Sequence, residues 1–316
     1  MNHYIEQSTD DIEQLFAYVA NDDWEYRLIQ LTPGPLDSRY AAVFLPEMTI
    51  SWYRYRPAIH VQESHALPAV FFTFVIDAAE APRWFGHEFQ ADMALLYLPG
   101  QEQDYVIPQR LFSVGVMIQE SLVQRMGWQF SGPACQRVGR DSLMELKEAC
   151  QQLTRRLQQR PATESELQIA QERLAMHLDK TLAPWMKSGN GNTPGLDKPT
   201  RSCRTVRQAL DLLDEWPADR NLDIGELARA IPTHRRTLYR AFRDYLGIGP
   251  YEYYLISRLH VFRRALEQAP THHGVITRAA LQAGFAHMGR FTEQYRKHFV
   301  ERPNDTLRRW KLAVTG

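Results

Sequence analysis

The C-terminal third of this 316-residue chain repeats itself at an offset of 53 residues, and that repeat constrains the fold more than any other feature of the sequence. Thr233 to Pro250 lies over Ala286 to Pro303, with His234 on His287, Leu238 on Phe291, Phe242 on Tyr295, Arg243 on Arg296, Leu246 on Phe299 and Pro250 on Pro303. In the first copy Leu238, Phe242 and Leu246 recur every fourth residue, so on a helix they share one face and belong inside. Arg236, Tyr239, Arg240 and Arg243 then line the opposite side and stay in solvent. A shorter amphipathic helix over 224–231 precedes this one, and Pro232-Thr233 leaves room only for a tight turn. The second copy has the same order: Val275 to Ala283 as first helix, 284–287 as turn, Met288 to Phe299 as second helix. Between the copies Tyr251 to Leu266 reads as one helix of 16 residues, roughly 24 Å long.

Two short helices joined by a tight turn, the second presenting arginines, give the order of a helix-turn-helix unit, whose second helix enters the major groove of DNA. There an arginine can bond guanine O6 and N7 with both arms. A single copy would be an ordinary helical hairpin; two in register, each with a basic outer face, point to nucleic acid. A connecting rod of that length could hold two reading helices near the ~34 Å that separates successive major grooves on one side of a duplex. Charge agrees. The formal net charge is zero, but residues 201–316 hold 20 Lys and Arg against 12 Asp and Glu, leaving 17 against 25 in residues 1–200. A basic part joined to an acidic part suits a protein whose C-terminal region neutralises phosphates.

The two parts meet at Lys187 to Thr200, where Gly, Asn, Pro and Ser replace almost all apolar residues. The expected division is a first domain over 1–186, a linker over 187–202 and a helical domain over 203–316. Within the first domain, Ala42–Leu45, Met48–Tyr53, Ala69–Ile76, Ala94–Leu98 and Leu111–Ile118 are short β-branched and aromatic runs between turn residues, the pattern of a small sandwich or barrel. Helical spacing follows: Leu143, Leu146, Cys150, Leu153 and Leu157 form a seam at alternating steps of three and four, and Leu167, Ala170, Leu174 and Leu178 continue it on a second helix. The seam packs either on the strands of its own chain or on its copy in a two-fold dimer. No stretch approaches the roughly 20 apolar residues of a membrane span, and the polar, acidic start lacks the form of a signal peptide. The expected location is the cytoplasm, without membrane contact. Cys135, Cys150 and Cys203 form no paired motif and are expected to be reduced and structural.

Residues 201–310 resemble the C-terminal domain of AraC/XylS-type transcription regulators. The likeness rests on Leu227-Ala228, the run Arg236 to Arg243, Gly247, Pro250, Arg258-Leu259, Ala279 to Ala283, Gly284-Phe285, Phe291, Tyr295-Arg296, Phe299 and Pro303. The stretch from Gly284 to Leu307 is closest to the branch that contains regulators of ethanolamine and ornithine use. The resemblance implies an α+β chain: a small cupin-like β-barrel with a helical dimerisation hairpin, then an all-α domain with two helix-turn-helix motifs joined by a long helix. It also implies double-stranded DNA as partner, a homodimer, RNA polymerase as a further partner, and a small-molecule effector for the first domain. No cofactor, no metal and no enzymatic activity are expected.

The positions carried over for base edges are Arg235, Arg236, Tyr239 and Arg240 in one half-site and His287, Arg290 and Gln294 in the other. Thr233, Arg243, Arg296 and Lys297 are assigned to phosphates, which fix register without reading sequence. Three departures stand out. His234 replaces the usual capping serine, leaving Thr233 to supply a capping oxygen. Val300 replaces the glycine that ends such a helix. Glu293 stands where an arginine often faces the bases, which makes base reading by the second copy the weaker of the two. In the first domain Trp52, Arg54, Arg56, Phe72 and Tyr97 form the candidate effector pocket, although alternation of Trp52, Arg54 and Arg56 with Tyr53 and Tyr55 is also what any half-buried strand shows. The rival from another class is a metal-dependent β-barrel enzyme using His60, Glu63 and His65. Their spacing puts no His-x-His pair on one strand face.

Overall fold

The computed structural model describes residues 3–15, 24–131, 134–186, 198–218, 220–267 and 274–315. The strands are β1 (Tyr4–Thr9), β2 (Trp24–Gln30), β3 (Ser38–Phe44), β4 (Met48–Tyr55), β5 (Ile59–His65), β6 (Ala69–Ala78), β7 (Arg83–Trp84), β8 (His87–Glu88), β9 (Met93–Tyr97), β10 (Gln103–Ile107), β11 (Leu111–Gln119) and β12 (Cys135–Arg137). The helices are α1 (Glu120–Met126), α2 (Arg140–Gln159), α3 (Glu164–Met186), α4 (Arg201–Asp214), α5 (Ile224–Ala230), α6 (Arg235–Leu246), α7 (Pro250–Glu267), α8 (Val275–Gln282), α9 (Met288–Phe299) and α10 (Pro303–Thr315). No helix among the described residues is long and apolar enough to cross a membrane.

The strands form two antiparallel sheets. One runs β1-β3-β4-β11-β6-β9-β12 and the other β2-β5-β10-β7-β8. No strand is shared between them among the described residues, so of the barrel or sandwich expected the structure has the open form, two sheets, and no closed barrel. Alternation assigns the faces. On β6, Phe72 and Phe74 are fully buried and join the core formed with α2 and α3, while Phe71, Thr73 and Val75 point to the space between the sheets.

The seam is the clearest correction. Leu143, Leu146 and Cys150 are 0% exposed within the single chain, packed with Val116, Ile118, Leu174, Leu178 and Trp185, and Leu153 and Leu157 belong to the same cluster. Leu143, Leu146, Cys150 and Leu157 are therefore not open to a second copy, and Leu153 is partly buried against the same cluster: of the two partners the spacing left open, the structure has the chain's own first sheet. Trp52 Nε1 donates to Thr154 Oγ1 of α2 at 3.0 Å, which fixes the helix on the sheet.

The expected linker over 187–202 falls mostly outside the described residues. Its end is ordered: Thr200 Oγ1 accepts from the Cys203 N–H at 3.2 Å and caps α4, so the helix starts two residues before the expected boundary.

The second sheet is one strand thick between two environments. Its inner residues Trp24, Glu63, Gln103 and Tyr105 face the first sheet, while its outer residues Arg27, Ile29, His60, Gln62, Asp104 and Val106 meet the C-terminal helices. Ile29 and Val106 share a core cluster with Cys203, Val206, Phe242, Tyr245 and Tyr253.

Polar groups hold the C-terminal helices against the N-terminal part at three points, two of them on this sheet. At the first, His60 Nε2 lies 2.9 Å from Asp104 Oδ1, His60 Nδ1 lies 3.1 Å from the Tyr253 hydroxyl, and the Tyr245 hydroxyl donates to Asp104 Oδ1. Burial works against the Asp104 carboxylate, but His60, Tyr245 and Gln62 outweigh it and hold its pKa below the ordinary value.

At the second, β2 is an edge strand with unpaired main-chain groups. The Gln30 N–H donates to His260 Nε2 and His298 Nε2 donates to the Gln30 carbonyl, each at 3.0 Å. At the third, buried Arg263 on α7 bonds Asp11 at 3.0 Å and pairs with Glu301.

Candidate nucleic-acid interface

The first helix pair is built from its capping residue. Asp223 Oδ1 accepts from the Gly225 and Glu226 N–H groups at 2.6 and 3.3 Å, starting α5, and these bonds hold its carboxyl below the usual range. The Thr233 N–H donates to the Ala228 carbonyl at 2.9 Å and closes the turn into α6. Leu238, Ala241, Phe242, Tyr245 and Leu246 are buried against Leu227, Val206 and Leu210, and α6 ends at Gly247 with φ 77°. Positive φ suits glycine here because it has no Cβ to clash.

That packing leaves Arg235, Arg236, Tyr239, Arg240 and Arg243 on the exposed side. They are not equivalent. Arg235 lies 3.4 Å from Asp223 Oδ1, with its guanidinium over Gly225, where an added Cβ would fall 1.9 Å from the nearest nitrogen. Arg243 donates to the Gly247 carbonyl at 3.2 Å. Arg236 and Arg240 make no hydrogen bond or ion pair among the described residues. They are the two long donors of α6 free to meet an external acceptor. Thr233 is half-buried and does not cap: His234 is the N-cap residue of α6 and its side chain makes no capping bond, so the expected substitution of one cap by the other is not realised.

In the second pair, Phe291, Tyr295, His298 and Phe299 are buried on α9, and His287, Arg290, Glu293, Arg296 and Lys297 are exposed; Gln294 is partly covered. Arg290, Arg296 and Lys297 are unpaired among the described residues. Val300 takes the place that Gly247 has in the first copy and adopts the same left-handed conformation, φ 59° and ψ 20°. A Cβ-branched residue there is strained. Gly284, φ 86°, sits in the turn before α9, where a Cβ would lie 2.6 Å from the Ala218 carbonyl oxygen.

The five residues expected to line an effector pocket do not come together. Tyr97 lines the space between the sheets, and Phe72 borders it but turns its ring to Trp185, 5.9 Å away. Trp52 belongs to the core under α2. Arg54 lies exposed over Phe112 at 4.7 Å, and Arg56 is exposed as well. Strand parity explains this: Trp52, Arg54 and Arg56 point to the outer side of the first sheet. Sequence reasoning missed Trp24 and Glu63 as lining residues. The available signal was Glu63 in phase with Ile59 and Val61, a carboxylate on an apolar strand face.

Residues 227–309 match the family model described as a helix-turn-helix domain. The XylDLEGF operon transcriptional activator of Pseudomonas putida is 38% identical over 95 residues, 30% of this chain and 30% of that protein. The probable thc operon regulatory protein of Rhodococcus erythropolis is 33% identical over 103 residues, 33% of this chain and 31% of that protein. A transcriptional regulator with an AraC-type DNA-binding domain from Chromobacterium violaceum is 29% identical, covering 34% of this chain and 94% of that chain, with a TM-score of 0.32. The chain spans about 30% of the length of these two curated relatives. The matched residues carry a helix-turn-helix domain and coincide with the part where the internal repeat lies.

Proposed function

We propose that this protein is a sequence-specific transcription regulator that reads two adjacent major grooves of double-stranded DNA, α6 entering one and α9 the next. The observation that supports it best is α6 itself. One face is buried through Leu238, Phe242 and Leu246, and the other holds Arg236 and Arg240 in solvent without an internal partner. Two unpaired guanidiniums on one exposed helix face suit bidentate bonds to guanine. Arg235, Tyr239, His287, Arg290 and Gln294 complete the base-reading set, with Thr233, Arg243, Arg296 and Lys297 at phosphates.

The rest of the reading follows the same division. Residues 1–186 form a regulatory domain that senses a small molecule, 187–202 connect, and 203–316 bind DNA. The protein works in the cytoplasm as a homodimer and contacts RNA polymerase. Pairing of two copies uses a surface other than the seam of α2, and sedimentation of the purified chain tests it. The closer kinship with regulators of ethanolamine and ornithine use is part of the same proposal, tested by the genes that adjoin its bound genomic sites.

Selection of duplexes from a random pool tests the central claim. The expected product is a motif with two half-sites about 10 base pairs apart. Arg236→Ala is expected to cost about 1–3 kcal/mol on the selected duplex and to relax base choice at one position. No enrichment, or unchanged discrimination by the variant, rejects the reading.

A further inference from the structure

Between the two sheets lies a cavity of about 110 Å³. Aromatic rings make most of its wall: Trp24 and Phe71 meet edge to face at 4.7 Å, and Phe71 stacks on Tyr97 at 5.4 Å, with Tyr105 and Trp84 completing the ring. One carboxylate is set among them. Glu63 is 7% exposed; its Oε1 accepts from the hydroxyls of Tyr105 at 2.9 Å and Tyr97 at 3.4 Å, and its Oε2 accepts from Trp24 Nε1 at 3.2 Å.

No cation reaches Glu63 among the described residues. The other charged residue on the wall, Arg83, turns its guanidinium to the opposite face of the strand and donates to the Tyr245 carbonyl at 3.2 Å. Burial raises the Glu63 pKa to about 7 against the pull of its three donors. A buried carboxylate without a cation is an unbalanced charge. The surrounding ring faces carry negative quadrupoles that attract a cation and repel an anion.

We propose, on the sensing reading given above, that this cavity takes a small organic cation, an alkylammonium or quaternary ammonium compound, with its charge at Glu63 and its methyl groups against Trp24, Phe71, Tyr97 and Tyr105, and that β10 passes its occupancy to α6. The path is short. Gln103 and Tyr105 line the cavity, and Asp104 between them points the other way, where the Tyr245 hydroxyl of α6 donates to it. Strand alternation makes this unavoidable: a shift of β10 that accommodates a ligand on one face moves Asp104 on the other. His60 and Gln62 bond the same carboxylate from β5, so the two strands move together.

Isothermal titration of the full chain with tetramethylammonium, choline, 3,3-dimethylbutanol and benzoate tests the ligand class. The expected result is binding of the cations, at least about ten-fold weaker binding of the alcohol, which is choline's uncharged carbon isostere, and none of benzoate. Glu63→Gln removes the preference for the cation over the alcohol. Should that variant lose its cooperative melting, Trp24→Leu replaces it, with the same loss expected.

Fluorescence anisotropy on a duplex selected from the random pool tests the coupling: choline changes affinity by about five-fold or more in the unaltered protein, and in Tyr245→Phe the cation still binds but this change is absent. Equal binding of the alcohol, preference for benzoate, or no binding of either cation overturns the ligand class. A Tyr245→Phe protein that responds normally overturns the path. A chain that binds the selected duplex but no cation rejects this inference alone, whereas one that binds the cation but selects no duplex rejects the DNA reading and leaves the cavity's ligand in place.

Discussion

The two helix pairs bury the same three positions and differ in what they do with the fourth. Leu238, Phe242 and Leu246 in the first copy, and Phe291, Tyr295 and Phe299 in the second, are all inside. The next equivalent pair, at the same offset of 53 residues, is Tyr245 and His298. Both are buried and reach from the helices to bond the second sheet, Tyr245 to the Asp104 carboxylate on β10 and His298 to the Gln30 carbonyl on β2. A duplicated unit thus uses one position twice to hold the first domain. The first tether is made to a charge behind the inter-sheet cavity, the second to a neutral main-chain group at the sheet edge. The difference assigns them different sensitivities: the first to what fills the cavity, the second to proton concentration.

The largest expected effect comes from unbalancing what the second copy has and the first lacks, a buried arginine beneath it. Arg263 is 2% exposed, bonds the Tyr295 hydroxyl at 3.1 Å, and pairs with Asp11 and Glu301. Asp11→Ala leaves that guanidinium partly unbalanced and is expected to cost about 3–5 kcal/mol in urea unfolding. A cost under 1 kcal/mol would mean that Asp11 does not hold the N-terminal segment on α7.

Acid comes next and separates the two tethers. Burial depresses the pKa of His260 well below the ordinary histidine value of 6.5 and that of His298 to about 3. Protons therefore bind the unfolded chain better than the folded one. The stability these residues hold is complete above about 6.5 and is lost as pH falls from there towards about 3. The slope approaches 1.4 kcal/mol per pH unit for each histidine, about the limit for one proton. Glu63, whose pKa is raised to about 7, takes up its proton in the folded chain over the same range and opposes the histidines, so the test is the comparison: melting temperatures measured from pH 7 to 5.5 should fall more in the unaltered chain than in His298→Gln. Parallel curves would remove His298 from the second tether.

Arg236→Ala against Arg290→Ala compares the copies at the duplex. Both guanidiniums are exposed and unpaired, but Glu293 stands on the outer face of α9 beside Arg290 and repels phosphate. The first variant is expected to cost about 1–3 kcal/mol on a selected duplex and the second less, in competition gel shifts. The reverse order would make α9 the principal reader.

The helical half was legible because its information is local. A three- or four-residue apolar period decides which face of α6 or α9 is buried, and the repeat lets each copy check the other. The strands found in advance, β3, β4, β6, β9 and β11, belong to the first sheet, where β-branched and aromatic residues dominate. The second sheet was missed, since His60, Gln62 and Asp104 look like surface residues until the helices that bond them are in place. The same cause hid the cavity: Glu63 takes its meaning from Trp24, Tyr97 and Tyr105, which come from three other strands. The seam of α2 failed differently. Its period was read correctly, but a period names a buried face and not the partner that buries it.

The smallest effect tests the two helix ends. Gly247 and Val300 hold equivalent places with φ of 77° and 59°, and only the first suits the conformation. A left-handed Cβ-bearing residue costs about 1–2 kcal/mol, offset by roughly 0.4–1 kcal/mol because glycine has more freedom to lose on folding. Val300 is 59% exposed, so its side chain contributes little burial. Val300→Gly is therefore expected to stabilise the chain by a few tenths to about 1 kcal/mol in urea unfolding. Gly247→Val should destabilise it by about the difference between those two terms, the mirror image of the first substitution. If Val300→Gly lowers the midpoint, the valine makes contacts that outweigh its strain, and the two copies end their second helices for different physical reasons.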